Sequence, residues 1–168
     1  MKLPLRSALT LLAVLSLLFA GWRMLDAEGR ELRAIDRRLS ELANHLEKTG
    51  PTSLLSTGAG AVKFLDFFTP NAEVDLDYKA LKLQGHKDLK STFLLIHRQV
   101  DTLSLTVLET RITLAPDRRS AAATVLVQVR ATHPSHTESE RREYTLTLEK
   151  QGDWKIRRAE HAAPLLRR

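Results

Sequence analysis

The chain has 168 residues, of which 43% are hydrophobic, and a formal net charge of +6. This length supports one hydrophobic core, so we expect a single folded domain with short appendages. The absence of cysteine excludes disulfide bonds, thiolate metal sites and a cysteine nucleophile. Lys2, Arg6 and Arg23 supply half of the excess positive charge. The rest is interspersed with acidic residues, which disfavours nucleic acid as a partner.

The N-terminal segment, residues 1–25, has the layout of an export signal. Lys2 and Arg6 precede an uncharged apolar run over residues 7–22. A short basic segment followed by an apolar run is typical of a signal peptide or a signal anchor. The basic residues are expected to stay in the cytoplasm, so the rest of the chain should lie outside it.

Two outcomes for this segment compete. Leu18 lies two residues before Ala20, where signal peptidase prefers a small residue. Extension of the run to residue 25, with Arg23 at the membrane boundary, brings it close to the roughly 20 residues of a spanning helix. We therefore expect a single-pass anchor in a bacterial inner membrane through residues 7–25, with a periplasmic domain. Cleavage and release into the periplasm is the alternative.

An amphipathic helix is predicted over residues 26–50, either as the first helix of the domain or as a linker. Its apolar residues recur three and four positions apart: Leu32, Ile35, Leu39, Leu42 and Leu46. Gly50 and Pro51 should end this helix. The remaining residues, 51–168, are expected to form the folded domain.

A second helix should begin after Thr52 or Ser53 and end at Pro70, with a possible break near its glycines. The following segment predicts a strand over Glu73–Tyr78 with Val74, Leu76 and Tyr78 on one face. Gly85 precedes a third helix over His86–Val100. The apolar face of that helix carries Leu89, Phe93, Ile96, His97 and Val100.

Long alternating strands fill the C-terminal half. The apolar phase slips between Val107 and Glu109, which predicts a β-bulge and a bent sheet. Residues 121–131 are apolar at every odd position, and a turn at Gly152 leads into Trp154–Arg158. Hairpin-linked strands of this kind predict an antiparallel sheet with one packed face.

Three segments carry a resemblance to a known fold: Phe67–Val74 (FFTPNAEV), Gln84–Leu89 (QGHKDL) and Asp153–Ile156 (DWKI). With the order of elements, they resemble the nuclear transport factor 2-like superfamily, which includes SnoaL-like and ketosteroid-isomerase-like proteins. The resemblance covers roughly Thr52–Ala163. It implies a cone-shaped α+β fold in which a strongly bent antiparallel sheet packs against about three helices, here preceded by an N-terminal apolar helix.

In isomerase-like members of this superfamily, a carboxylate base lies on the first strand and faces the cavity. The matching position here is Leu76, so that base is missing. Asp75 and Asp77 alternate with the apolar residues, and we expect both to lie on the solvated face of the strand.

His97 is the best single candidate for catalysis. A buried histidine beside Tyr78 or Tyr144 could act as a general base, although a hydrogen-bonded histidine at the edge of the core fits the same pattern. The predicted ligand pocket contains Val74, Leu76, Tyr78, Phe93, His97, Tyr144 and Trp154.

No cofactor or metal is expected. His133 and His136 lie in a polar loop, but no third ligand of obvious spacing accompanies them.

The leading functional hypothesis is a non-enzymatic, membrane-anchored binding or assembly module. Its concave sheet or pocket would bind a protein partner, a second copy in a homodimer or a small apolar ligand. One anchor before a cone-shaped domain resembles inner-membrane assembly components of type IV secretion systems. The first alternative is a small-molecule lyase, isomerase or hydrolase that uses His97 with Tyr78 or Tyr144. The second is a structural spacer that binds no ligand.

Overall fold

The computed structural model describes residues 27–51, 53–76 and 82–162. The predicted anchor, residues 7–25, and Tyr78 of the predicted pocket lie outside these ranges. Within them, no helix has both the length and the apolar character needed to span a bilayer.

Three helices precede the long strands. Helix α1 occupies residues 27–46, α2 Leu54–Leu65 and α3 Gly85–Gln99. Ser53 caps α2, because its hydroxyl accepts a hydrogen bond from the Ser56 amide at 3.2 Å. The glycines of α2 do not break it. A Cβ atom on Gly60 would lie 3.6 Å from the ring of Phe93, an ordinary packing distance, so α2 and α3 are in contact at this glycine.

Six strands form one sheet in the order β2-β1-β6-β5-β4-β3. Their bounds are β1 Phe68–Asp75, β2 Lys82–Gln84, β3 Thr102–Leu114, β4 Ser120–Thr132, β5 Thr137–Gln151 and β6 Asp153–His161. The β1–β6 pair is parallel and the other pairs are antiparallel, so the sheet is mixed. The predicted α+β architecture of a bent sheet and three helices is confirmed.

The first strand begins earlier than its sequence suggests. Pro70 was expected to end a helix, but α2 ends at Leu65 and Pro70 lies inside β1. The pairing of β1 with β6 shifts register between Phe68 and Glu73. Proline has no amide hydrogen to donate, and this irregular stretch tolerates it because the regular ladder is already interrupted there.

The bulge predicted in β3 is confirmed. Val107 pairs with Val127 on β4, and the next paired residues are Glu109 and Leu126. One extra residue on β3 therefore lies opposite β4 at this point, which explains the slip in apolar phase seen in the sequence.

The core lies between the three helices and one face of the sheet. Ile35 and Leu39 of α1 belong to the same buried cluster as alternate residues of the central strands. From β4, β5 and β6 that cluster contains Ala121, Ala123, Val125, Val127, Leu146, Leu148, Trp154, Ile156 and Ala159. None of the described helices packs on the opposite face, where Thr145 and Thr147 are exposed.

Gly85 offers a test of this arrangement, because its backbone φ is +74° and an added Cβ would lie 3.2 Å from the Pro70 carbonyl oxygen. We expect Gly85→Ala to lower the free energy of unfolding by about 1–2 kcal/mol, since L-residues are strained in this conformation. Gly58→Ala is the matched control, since a Cβ there meets nothing within 4 Å. It should raise stability by roughly 0.5–1 kcal/mol in the helix interior. Urea unfolding measures both, and an unchanged midpoint for Gly85→Ala would contradict the strain.

Candidate functional site

His97 lies in a packed aromatic cluster between α1, α2 and α3. Its side chain is buried, and its ring stacks on Phe93 with centroids 4.1 Å apart. Phe93 in turn stacks on Phe64 at 5.0 Å. The Nε2 atom of His97 is buried and has no hydrogen-bond partner among the described residues. This is the candidate catalytic histidine of the sequence, and its predicted place on the buried face of its helix is observed.

Lys48, which sequence reasoning missed, lies beside His97. Its buried ammonium donates hydrogen bonds to the carbonyl oxygens of His97 at 2.8 Å and Val100 at 2.5 Å. Carbonyl groups at a helix C-terminus lack partners within the helix and carry partial negative charge, so a cation is favourable there. The Lys48 backbone also exchanges two hydrogen bonds with Leu103 at the start of β3.

The electrostatic surroundings of His97 are cationic. Burial is the main cause that lowers the pKa of His97, and the nearby charges of Lys48 and His45 lower it further. No carboxylate contributes to this shift. The imidazole is therefore mostly neutral at pH 7 and lacks the acidic partner that commonly orients a general base.

Tyr144 has partners other than His97. It is half-buried on β5, and its ring meets that of His161 edge-on at 5.8 Å. Its hydroxyl also interacts with the Arg142 guanidinium, and this hydrogen bond helps to raise the pKa of Arg142 after the larger contribution of Glu140. Tyr78, the other tyrosine predicted to pair with His97, lies outside the described residues.

The other predicted pocket residues are distributed along the domain. Val74 is buried in β1, and Leu76 is half-buried just after it. Trp154 is buried near the start of α1, where its Nε1 donates to a carboxylate oxygen of Glu31 at 2.9 Å. Glu31 precedes His45 by 14 residues, or about 21 Å of helix. The structure therefore brings Phe93 and His97 together and places Trp154 at the other end of α1.

A cleft of about 500 Å³ lies between α1 and the turn that joins β5 to β6. Its size is within the range of small-molecule sites. It is lined by Arg30, Glu31, Ala34, Arg37, Arg38, Glu41, Lys150, Gly152, Asp153 and Trp154. Trp154 is thus the predicted pocket residue that lines it, and the rest of its wall is largely charged.

Several charged side chains of this cleft already form hydrogen bonds or ion pairs within the protein. Glu31 accepts a hydrogen bond from the Lys150 ammonium at 2.5 Å, and this contact is the main cause that lowers the pKa of Glu31. Arg38 donates to the Asp66 carbonyl oxygen at 2.9 Å and lies over the Phe67 ring. The guanidinium of Arg37 has no partner among the described residues.

Comparison with solved structures identifies the fold. A candidate scytalone dehydratase from Novosphingobium aromaticivorans aligns with a TM-score of 0.68 and 19% identity, over 81% of this chain and 85% of that one. An NTF2-like protein with a cystatin-like fold from the same species aligns with a TM-score of 0.59 and 14% identity, over 88% of each chain.

A third solved structure is a candidate calcium/calmodulin-dependent protein kinase II association domain from Xanthomonas campestris. It aligns with a TM-score of 0.58 and 17% identity, over 82% of this chain and 89% of that one. The sequence matches no protein-family model and no curated protein. The chain therefore has the nuclear transport factor 2-like fold that the resemblance implied, a fold found here in neighbours described as an enzyme and as an association domain.

The lowered pKa of His97 predicts a loss of stability in acid. The unfolded chain binds a proton to this residue near pH 6.5, whereas the folded chain binds it only at lower pH. The contribution of neutral His97 is therefore complete above about pH 6.5 and decreases as the pH falls below it. Urea unfolding between pH 5 and 8 should show this slope, and His97→Gln should flatten it. His136→Asn, on an exposed loop, is the control; a slope unchanged by His97→Gln would contradict the assignment.

Proposed function

We propose that this protein is a non-enzymatic binding module, held in a bacterial inner membrane by residues 7–25 with its folded domain in the periplasm. The nuclear transport factor 2-like fold supports a module that binds or transforms small molecules, and the choice between these activities depends on the site. The membrane part of the proposal rests on the basic-then-apolar order of residues 1–25.

The environment of His97 is the observation that favours binding over catalysis. The residue has cations as its electrostatic neighbours, and its ring is fixed by stacking on Phe93. A general base needs a proton-transfer path to a substrate and usually a group that orients it. Tyr144, the described candidate for that second role, contacts His161 and Arg142 instead.

The cleft beside α1 is the proposed binding site. Its wall has four basic and three acidic side chains, which disfavours the small apolar ligand that the sequence suggested and leaves a small excess of positive charge for an anionic group. Arg37 supplies a guanidinium whose hydrogen-bond donors are unused within the described residues, and guanidinium groups bind carboxylates and phosphates well. The occupant would be a small organic acid or an acidic segment of a protein partner.

A homodimer through the sheet is a second part of the proposal. The face of the sheet opposite the core is available for it, and this face carries Thr124, Leu126, Thr145 and Thr147 on neighbouring strands. Threonine-rich faces with a few apolar residues can pair through side-chain packing and hydrogen bonds.

An enzymatic function is the second candidate, and the observation that favours it is the unpaired ring nitrogen of His97. The buried Nε2 of His97 has no partner among the described residues, and unpartnered buried polar groups are uncommon. If a substrate hydroxyl or carbonyl group formed a hydrogen bond with Nε2, His97 could serve as the catalytic residue of a lyase, isomerase or hydrolase.

The anchor has a direct test. We expect the full chain, expressed in a bacterium, to remain in the membrane fraction after washing with alkaline carbonate, because an apolar spanning helix is not removed by such treatment. Deletion of residues 1–25, with a cleavable export signal in their place, should release the protein into the soluble periplasmic fraction. A full chain that is soluble with residue 21 at its N-terminus would show that the segment is cleaved.

The cleft has a separate test that uses a six-residue glutamate peptide as the probe. We expect the peptide to shift amide resonances of α1 and of the β5–β6 turn in NMR titration. Arg37→Gln should weaken binding about two- to five-fold, as expected for an exposed charge contact of up to about 1 kcal/mol. Arg141→Gln is the matched control, an exposed arginine on β5 without a partner among the described residues. Equal loss in both variants would indicate a general charge effect and contradict a site at the cleft.

A further inference from the structure

The β4–β5 turn brings three potential metal ligands together. His133, His136 and Glu138 each offer one ligand atom, and these atoms lie within 4.8 Å of one another. The sequence suggested no third ligand for the two histidines. Glu138 supplies the third ligand from the second position of β5, where its carboxylate lies beside the ring of His136.

The turn itself is well defined. The amide of His133 donates to the carbonyl oxygen of His136 at 2.8 Å, so Pro134 and Ser135 form a two-residue connection. Thr132 and Thr137 pair directly below it in the sheet. The two imidazole rings stack with centroids 4.8 Å apart, so both project from the same side of the hairpin.

The hydrogen bonds of His133 leave its outer nitrogen available. Its Nδ1 lies 3.2 Å from the carbonyl oxygen of Gln99 at the end of α3. A carbonyl oxygen can only accept, so Nδ1 carries the hydrogen and Nε2 keeps a free lone pair in the neutral ring. A metal-binding histidine typically has this arrangement, in which a backbone carbonyl fixes the ring and its tautomer.

His136 has a similar support. Its Nδ1 lies 2.9 Å from the Ser135 hydroxyl, and its Nε2 lies 2.7 Å from a carboxylate oxygen of Glu138. A hydroxyl can donate or accept, so Ser135 can support Nδ1 whether or not that atom is protonated. A cation could therefore replace the hydrogen between Nε2 and the carboxylate without loss of the contact to Ser135.

We propose that His133, His136 and Glu138 form a surface site for a divalent transition-metal ion, with zinc as the reference ion. Two imidazole nitrogens and one carboxylate oxygen are a common ligand set for zinc, and water would complete the coordination. Tetrahedral zinc with bonds of about 2.1 Å requires ligand atoms about 3.4 Å apart. Side-chain rotations in this exposed turn can bring the 4.8 Å cluster to that spacing.

The test is calorimetric titration of zinc chloride into the full chain, purified in mild detergent without a histidine tag. We expect one ion per chain, with His136→Asn or Glu138→Gln lowering the affinity at least about ten-fold. Glu143→Gln is the matched control, an exposed acid on the same strand whose carboxylate has no partner among the described residues, and it should leave the affinity unchanged. Ser135→Ala, which removes only the support of His136, should weaken binding by up to about ten-fold.

Cobalt provides a second readout that depends on geometry. Co²⁺ in a tetrahedral site with nitrogen and oxygen ligands absorbs visible light at longer wavelength and far more strongly than the octahedral hydrated ion, and His133→Asn should remove this intense absorption. Circular dichroism establishes that each variant remains folded. Zinc affinity that is the same in wild type, His136→Asn and Glu138→Gln would overturn the proposal and assign any binding to other histidines.

Discussion

The buried ammonium of Lys48 is the contact on which the packing of the helices against the sheet depends. The two hydrogen bonds of its ammonium hold the C-terminus of α3. Its backbone pairs with Leu103 at the start of β3. One residue therefore joins the end of α1 to two elements that lie about 50 residues further along the chain. A buried cation is stable here because carbonyl oxygens replace its water ligands and the helix end is partially negative.

The same contact determines the character of the interior. Burial lowers the pKa of His97, and the charges of Lys48 and His45 lower it further, so the ring that stacks on Phe93 is mostly neutral at pH 7. The two proposed binding sites, the cleft beside α1 and the β4–β5 turn, lie instead at the surface.

Local patterns in the sequence predict much of the fold. The slip in the apolar alternation predicted the bulge of β3, and Gly85 and Ser53 predicted the starts of two helices. Each of these features depends on residues that are neighbours in the sequence. The contact between Lys48 and His97 spans 49 residues, and no periodicity reports such a pairing. The prediction that Pro70 ends a helix was wrong for a related reason. Its place in β1 depends on an irregular pairing with β6, which lies more than 80 residues away in the chain.

The two exposed polar sites lie at opposite ends of the domain. Arg37 and Trp154 line the cleft near the start of α1, whereas the β4–β5 turn contacts Gln99 at the end of α3, beside Lys48. Helix α1, about 30 Å long over its 20 described residues, separates them. The two sites have no residue in common, so a ligand in the cleft and an ion at the turn could bind independently.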